Sequence, residues 1–184
     1  MKSKVLLDKN HLNLTITRLC HQLIENHSDF NESVIIGLQP RGTLLANRIH
    51  KVISELLKKK DIPIGNLDVT FHRDDFRRKS NPLLPNTTKI DFLIEDKKVI
   101  LIDDVFFTGR TIRSGLDALM AYGRPKKVEL LVLINRRFNR HLPIEPDYIG
   151  KTVDSIESEK VKVNWKETEN KDEVILYTPT KSDE

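Results

Sequence analysis

At 184 residues, 38% hydrophobic and 32% charged, the chain can bury one contiguous apolar core; disorder throughout is excluded, and no apolar run approaches the roughly 20 residues that cross a bilayer. The formal charge of +4 is unevenly spread: 25 of the 31 basic and 18 of the 27 acidic side chains fall in residues 1–150, net +7, and the remaining 6 and 9 leave −3 in 151–184. A basic body suits phosphate-rich ligands or nucleic acid, although a solvated lysine-rich surface gives the same count.

Met1 to Asp8 lacks the apolar stretch and cleavage site of a secretory signal, so a cytoplasmic protein with no membrane association is expected. From His11 to His27, Leu12, Ile16, Leu19, Cys20, Leu23 and Ile24 recur at helical spacing, with Asp8 or Asn10 available as a cap. Cys20 is the only cysteine, which excludes an internal disulfide, and its place on the apolar stripe makes it a small buried hydrophobe rather than a nucleophile. Val34 to Leu38 reads as a buried strand stopped by Pro40 and Gly42, and an amphipathic helix follows from Leu44 to Lys59.

Asp68 to Phe71 reads as a strand, and the polar stretch Arg73 to Lys89 is too long and too charged for a core connection, which points to a functional lid or a disordered segment. Val99 to Ile102 is a strand, Thr111 to Tyr122 a helix and Val128 to Ile134 a further strand. Unbroken apolar strands alternating with helices predict an α/β fold with a mostly parallel central sheet flanked by helices. After Pro146 the period changes to two, at Val161, Val163 and Trp165 and again from Val174 to Tyr177, which predicts short antiparallel strands at the end. One domain over 1–184 is expected.

The chemistry concentrates in Val99-Ile-Leu-Ile-Asp-Asp-Val-Phe-Phe-Thr-Gly-Arg-Thr111. A buried strand delivers Asp103 and Asp104 to its carboxyl end, where ligands of open α/β sheets bind. A Thr-Gly-x-Thr turn then opens a helix, whose first N–H groups, dipole and the hydroxyls of Thr108 and Thr111 can hold a phosphate; Gly109 lets the backbone come close. Twin carboxylates can accept from ribose hydroxyls and stabilise positive charge building on the ring. An Asp-Asp pair by itself is more often a turn or a cap; the whole order, four apolar residues, two acids, three apolar residues, Thr-Gly-x-Thr, is what carries weight.

That order resembles the PRPP signature of the type I phosphoribosyltransferases. The resemblance implies that Asp103 and Asp104 contact the ribose hydroxyls and that Phe107, Thr108, Gly109, Arg110 and Thr111 hold the 5-phosphate. Gln39-Pro-Arg-Gly42 resembles the pyrophosphate loop, with Arg41 and Gly42 on the diphosphate and Pro40 able to adopt cis at low cost. Thr70-Phe-His-Arg-Asp-Asp-Phe76 resembles the lid that closes over the donor, with Arg73 a catalytic candidate; His72 has no partner at a zinc-like spacing, and no protein metal site is expected. Magnesium held chiefly by PRPP is the implied cofactor.

Further segments, Asp68-Val-Thr-Phe-His-Arg-Asp-Asp75, Gly123-Arg-Pro125, Leu142-Pro-Ile144 and Asp147-Tyr-Ile-Gly-Lys151, resemble the pyrimidine-regulator branch of that family from about residue 5 to 177. This branch implies transfer of the phosphoribosyl group to uracil, giving UMP and pyrophosphate, together with nucleotide-controlled binding of leader RNA, in a homodimer or larger assembly. It also implies a flexible lid at about 72–89 and a small hood at about 134–163, in which Ile134, Asn135 and Val161 are the expected residues against uracil, with no side chain assigned as general base. Where the resemblance leads one to expect Asp-Arg-Gly, the chain has Asn135-Arg136-Arg137-Phe138 and is one residue longer before Leu142, so transfer to another nucleobase stays open. For RNA, Thr17, Arg18, His21, Arg140 and Lys151 match, whereas Asn26 and Glu145 replace arginines, and an acid facing a phosphate repels it. A nucleotide-sensing RNA regulator with little catalysis is therefore the second expectation.

Overall fold

The computed structural model describes residues 3–72, 86–138 and 140–179. Its elements are β1 (Ser3–Leu7), α1 (Lys9–His27), β2 (Ser33–Leu38), α2 (Gly42–Leu57), β3 (Ile64–Leu67), β4 (Lys98–Phe106), α3 (Arg110–Leu119), β5 (Lys127–Arg137), β6 (Tyr148–Asp154), β7 (Lys160–Asn164), α4 (Lys166–Glu169) and β8 (Glu173–Tyr177).

Five strands form a parallel sheet in the order β3-β2-β4-β5-β6, so the carboxyl ends of all five lie along one edge. The strands read as continuous apolar runs because both faces are covered. One face packs Ile35, Ile100, Ile102, Leu131 and Leu133 against Leu12, Ile16 and Leu19 of α1 and Leu45, Ile49 and Ile53 of α2. The other packs Val34, Ile36, Val99, Leu101 and Val132 against Ile112, Ala118 and Leu119 of α3. A second, antiparallel sheet, β1-β8-β7, joins the amino-terminal segment to the carboxyl-terminal hairpin, and its Val163, Trp165 and Val174 extend the first core.

The helix caps follow from side-chain chemistry. Asp8 is the N-cap of α1, its Oδ1 accepting from the His11 backbone N–H at 2.9 Å. Helix α2 ends on Lys58 in the left-handed region. Cys20 is fully buried and its thiol is pushed up to about 12 by desolvation, as a packing residue requires. Among the described residues no helix is long and apolar enough to cross a membrane.

Three elements differ from the sequence reading. The strand expected at Asp68–Phe71 lies earlier, at Ile64–Leu67, and Thr70–His72 forms a 3-10 turn, because Asp68 Oδ1 accepts from the Thr70 N–H and hydroxyl and curls the chain. The expected helix over Thr111–Tyr122 is α3 followed by a 3-10 turn at Met120–Tyr122. Beyond Pro146 the first strand, β6, is parallel and belongs to the central sheet; only β7 and β8 are antiparallel.

Candidate active site

Strand β4 runs four residues past the apolar stretch and carries both acids within it: Asp103 and Asp104 are 8% and 7% exposed. The Asp104 backbone N–H donates to Asp103 Oδ1 at 2.9 Å. Arg41 reaches the pair from the turn after β2, its Nε donating to Asp104 Oδ2 at 3.1 Å. The same guanidinium donates through Nη1 to Glu169 Oε1 at 3.1 Å and through Nη2 to the Val163 carbonyl, tying the loop to α4 and β7. Burial pushes the Asp104 carboxyl above the ordinary carboxylate range, opposed by Arg41. Glu169 goes the other way: burial is outweighed by hydrogen bonds from Thr168, the Trp165 N–H and Arg41, and its pKa falls to about 2.

Gly42 explains how this loop can lie against the acids. A Cβ there would stand 2.4 Å from the Ile102 carbonyl oxygen and 3.0 Å from Asp103 Cα, so only glycine permits the approach. The Gln39–Pro40 peptide bond is cis.

After Phe106 the chain turns through Phe107, Thr108 and Gly109 into α3. Gly109 is the N-cap at φ 91°, in the left-handed region, and the Arg110 N–H donates to Thr108 Oγ1 at 3.3 Å. Helix geometry leaves the Thr111 and Ile112 N–H groups without an intrahelical acceptor, and at the positive end of the dipole they form an anion cradle. The loop is braced from below by the segment before Leu142: the N–H groups of His141 and Leu142 donate to the Thr108 carbonyl at 3.0 and 3.3 Å, and Arg110 Nε donates to His141 Nδ1 at 3.3 Å.

A cleft of about 440 Å³ opens above Asp104, lined by Arg41, Phe107, Arg136, Glu157, Val161 and Val163 among others. Of the residues expected in the hood, Val161 lines it. Ile134 does not: it is fully buried in the core. Asn135 leaves on the opposite face, in a separate hollow with Ile144 and Ile149, and its Oδ1 accepts from Arg140 Nη2 at 2.7 Å. The position next to it, Arg136, lines the cleft instead, although it is not among the expected hood residues; it shares a strand face with Ile134, two residues before it. Arg137 pairs in two-pronged fashion with its cross-strand neighbour Asp154 at 2.6 and 2.8 Å, and Phe138 stands 77% exposed at positive φ.

The residues expected to face RNA divide. Thr17, Arg18 and His21 share the exposed side of α1, but Thr17 donates back to the Asn13 carbonyl and Arg18 caps the Ile149 and Gly150 carbonyls of edge strand β6 at 3.2 and 2.6 Å. Lys151 Nζ donates to the Leu6 carbonyl at 2.9 Å. Arg140 turns inward: it donates to the Phe107 carbonyl and lies 3.5 Å over the Phe106 ring, so it braces the anion loop. Arg73 lies outside the described residues. Glu169 escaped sequence reasoning, since nothing in a four-residue helix 65 positions after Asp104 signals that it shares Arg41.

Comparison with known proteins bears on this geometry. A family model described as a phosphoribosyl transferase domain matches residues 3–170. Among curated relatives, the bifunctional protein PyrR of Desulfosudis oleivorans is 43% identical over 178 residues, covering 97% of this chain and 98% of its own. The bifunctional protein PyrR of Bacillus subtilis is 39% identical over 175 residues, covering 94% and 96%. Among solved structures, a hypoxanthine phosphoribosyltransferase of Staphylococcus aureus superposes with a TM-score of 0.69 at 20% identity over 96% of this chain and 91% of that one. A hypoxanthine phosphoribosyltransferase of Trypanosoma cruzi gives 0.72 at 13% identity over 96% and 91%. At those identities the two structures speak for the fold alone.

Proposed function

Because this chain belongs to the phosphoribosyltransferase family, we propose that it transfers the phosphoribosyl group of PRPP to uracil, giving UMP and pyrophosphate, as its resemblance to the pyrimidine regulators implies. The observation that carries the reading is the buried Asp103-Asp104 pair, set at the carboxyl edge of the sheet between the Arg41 loop and the open amino end of α3.

In this reading the ribose hydroxyls donate to the two carboxylates, which stabilise the ring as the bond to the diphosphate lengthens and positive charge builds on it. The 5-phosphate sits on the Thr111 and Ile112 N–H groups and the threonine hydroxyls. Arg41 releases Asp104 and Glu169 to meet the diphosphate, and Gly42 keeps that loop within reach. The hard carboxylate oxygens of Asp103 and Asp104 at the strand end fit magnesium and would help hold it together with the donor. When bound, the metal supplies charge neutralisation on the leaving diphosphate. The base enters the cleft over Val161. Steady-state formation of UMP from uracil and PRPP tests the reading; turnover with hypoxanthine, guanine or orotate but not with uracil would overturn the uracil assignment and leave the donor site standing.

A second activity, leader-RNA binding, has support in the exposed Thr17 and His21 on α1 and in the basic body of the chain. Filter binding with and without UMP tests it, and affinity that ignores the nucleotide would remove it.

A further inference from the structure

Arg136 is 5% exposed; burial lowers its pKa against the pull of the nearby Glu159 carboxylate, and its hydrogen bonds go to neutral acceptors. A buried guanidinium is costly unless its donors find acceptors. Nε donates to Ser155 Oγ at 2.9 Å, and Nη2 donates to the Ile156 and Glu159 carbonyls at 3.3 and 2.7 Å. These acceptors all belong to residues 155–159, the connection between β6 and β7 that leads into the cleft wall at Lys160 to Val163. The opposite face of the guanidinium lies 3.7 Å over the Phe107 ring, at the start of the anion loop. One planar group therefore sets the separation between the loop that holds the donor and the segment that roofs the cleft.

We infer that Arg136 is a positioning residue for the nucleobase, a strut that fixes the height of the 155–159 roof above the donor loop and so sets base affinity without contributing to donor affinity. The inference rests on the phosphoribosyl-transfer reading of this cleft. The ties within the roof, the Ile156 N–H to Glu159 Oε2 at 3.0 Å and the Glu159 N–H to the Ile156 carbonyl at 3.2 Å, shape the turn but do not reach the donor loop. A donor loop braced independently by Arg140, His141 and Leu142 keeps its shape when Arg136 is changed. Lysine cannot replace the strut, because a single ammonium lacks the planar fork that reaches three acceptors while stacking on a ring.

The test is steady-state kinetics of Arg136→Lys and Ser155→Ala against the parent, with uracil and PRPP varied in turn. Arg136→Lys is expected to raise KM for the base about tenfold or more, with KM for PRPP within about twofold of the parent. Ser155→Ala removes one acceptor from the roof and leaves the arginine in place, so it should raise the base KM by a few-fold with the same selectivity, and it keeps the test decisive where Arg136→Lys folds poorly. A base KM unchanged in Ser155→Ala, or a rise in both KM values together, overturns the inference while an active parent leaves the proposed function intact. A parent that turns over no nucleobase with PRPP overturns the proposed function, and this inference with it.

Discussion

Buried acids stand at both ends of the central sheet, and Asp104 at one end and Glu129 at the other behave in opposite ways. At the carboxyl edge, the Asp104 side chain is 9% exposed and among the described residues its side-chain donor is Arg41, a cation shared with Glu169 and lent by a loop; desolvation prevails and the carboxyl is pushed up. At the amino edge, the Glu129 side chain is 8% exposed, and burial is outweighed by Lys127 at 2.7 Å, the Tyr148 hydroxyl at 2.7 Å and His27 Nε2 at 3.0 Å, so its pKa is lowered. His27 completes that cluster through Nδ1 to Ser33 Oγ at 2.8 Å, joining the end of α1 to β2, β5 and β6. A buried acid supplied with all its donors fastens elements together. A buried acid whose charge burial disfavours costs stability, a cost that the proposed ligand would offset.

The sharpest way to break the comparison is to neutralise each acid's setting in turn. Asp104→Asn should reduce turnover by about 10²- to 10³-fold while melting no lower than the parent, because it removes a charge that burial disfavours. Unchanged kinetics, or a large fall in the melting temperature, would erase the distinction between the two ends. Tyr148→Phe should do the reverse, costing about 1–2 kcal/mol, roughly 3–6 °C in melting temperature, with turnover unchanged.

A pH series sharpens the contrast from the amino edge. Burial holds His27 below the ordinary histidine value of 6.5, against the pull of Glu129 and with Lys98 and Lys127 adding to the depression. A depressed histidine stabilises the fold above 6.5, and that contribution is lost as pH falls through its folded value. Denaturant midpoints should therefore be level from pH 8 to 7 and decline below about 6.5, and replacing His27 with asparagine should flatten the decline; an unchanged slope would remove His27 as its source. The smallest effect is expected from Glu169→Gln. It loosens a hold on Arg41 that the donor must break anyway, so KM for PRPP should shift by only about two- to threefold.

Much of this architecture is legible in the chain. The apolar run Val99 to Ile102, the two acids and Thr-Gly-x-Thr declare the proposed donor loop locally, because strand, turn and helix start are contiguous. Helix α1 is equally plain, its six apolar positions and Asp8 cap being short-range features. What escapes notice depends on distant partners. Strand β1 pairs with β8 across the length of the chain, and β6 is broken in pattern by Gly150, where a Cβ would strike the Leu133 carbonyl at 2.4 Å. The hood is misread for a simpler reason: Asn135 and Arg136 are neighbours that leave on opposite faces, and only the packed strand shows which one meets the cleft.

The central claim, that the Asp103-Asp104 edge and the 107–111 loop form one phosphoribosyl-donor site, is tested most directly by titrating the protein with PRPP in the presence of magnesium and following the heat. The account predicts saturable binding to one site per chain that Thr108→Ala and Asp104→Asn each weaken. Saturation left untouched by both substitutions, or no heat at millimolar donor, would contradict it.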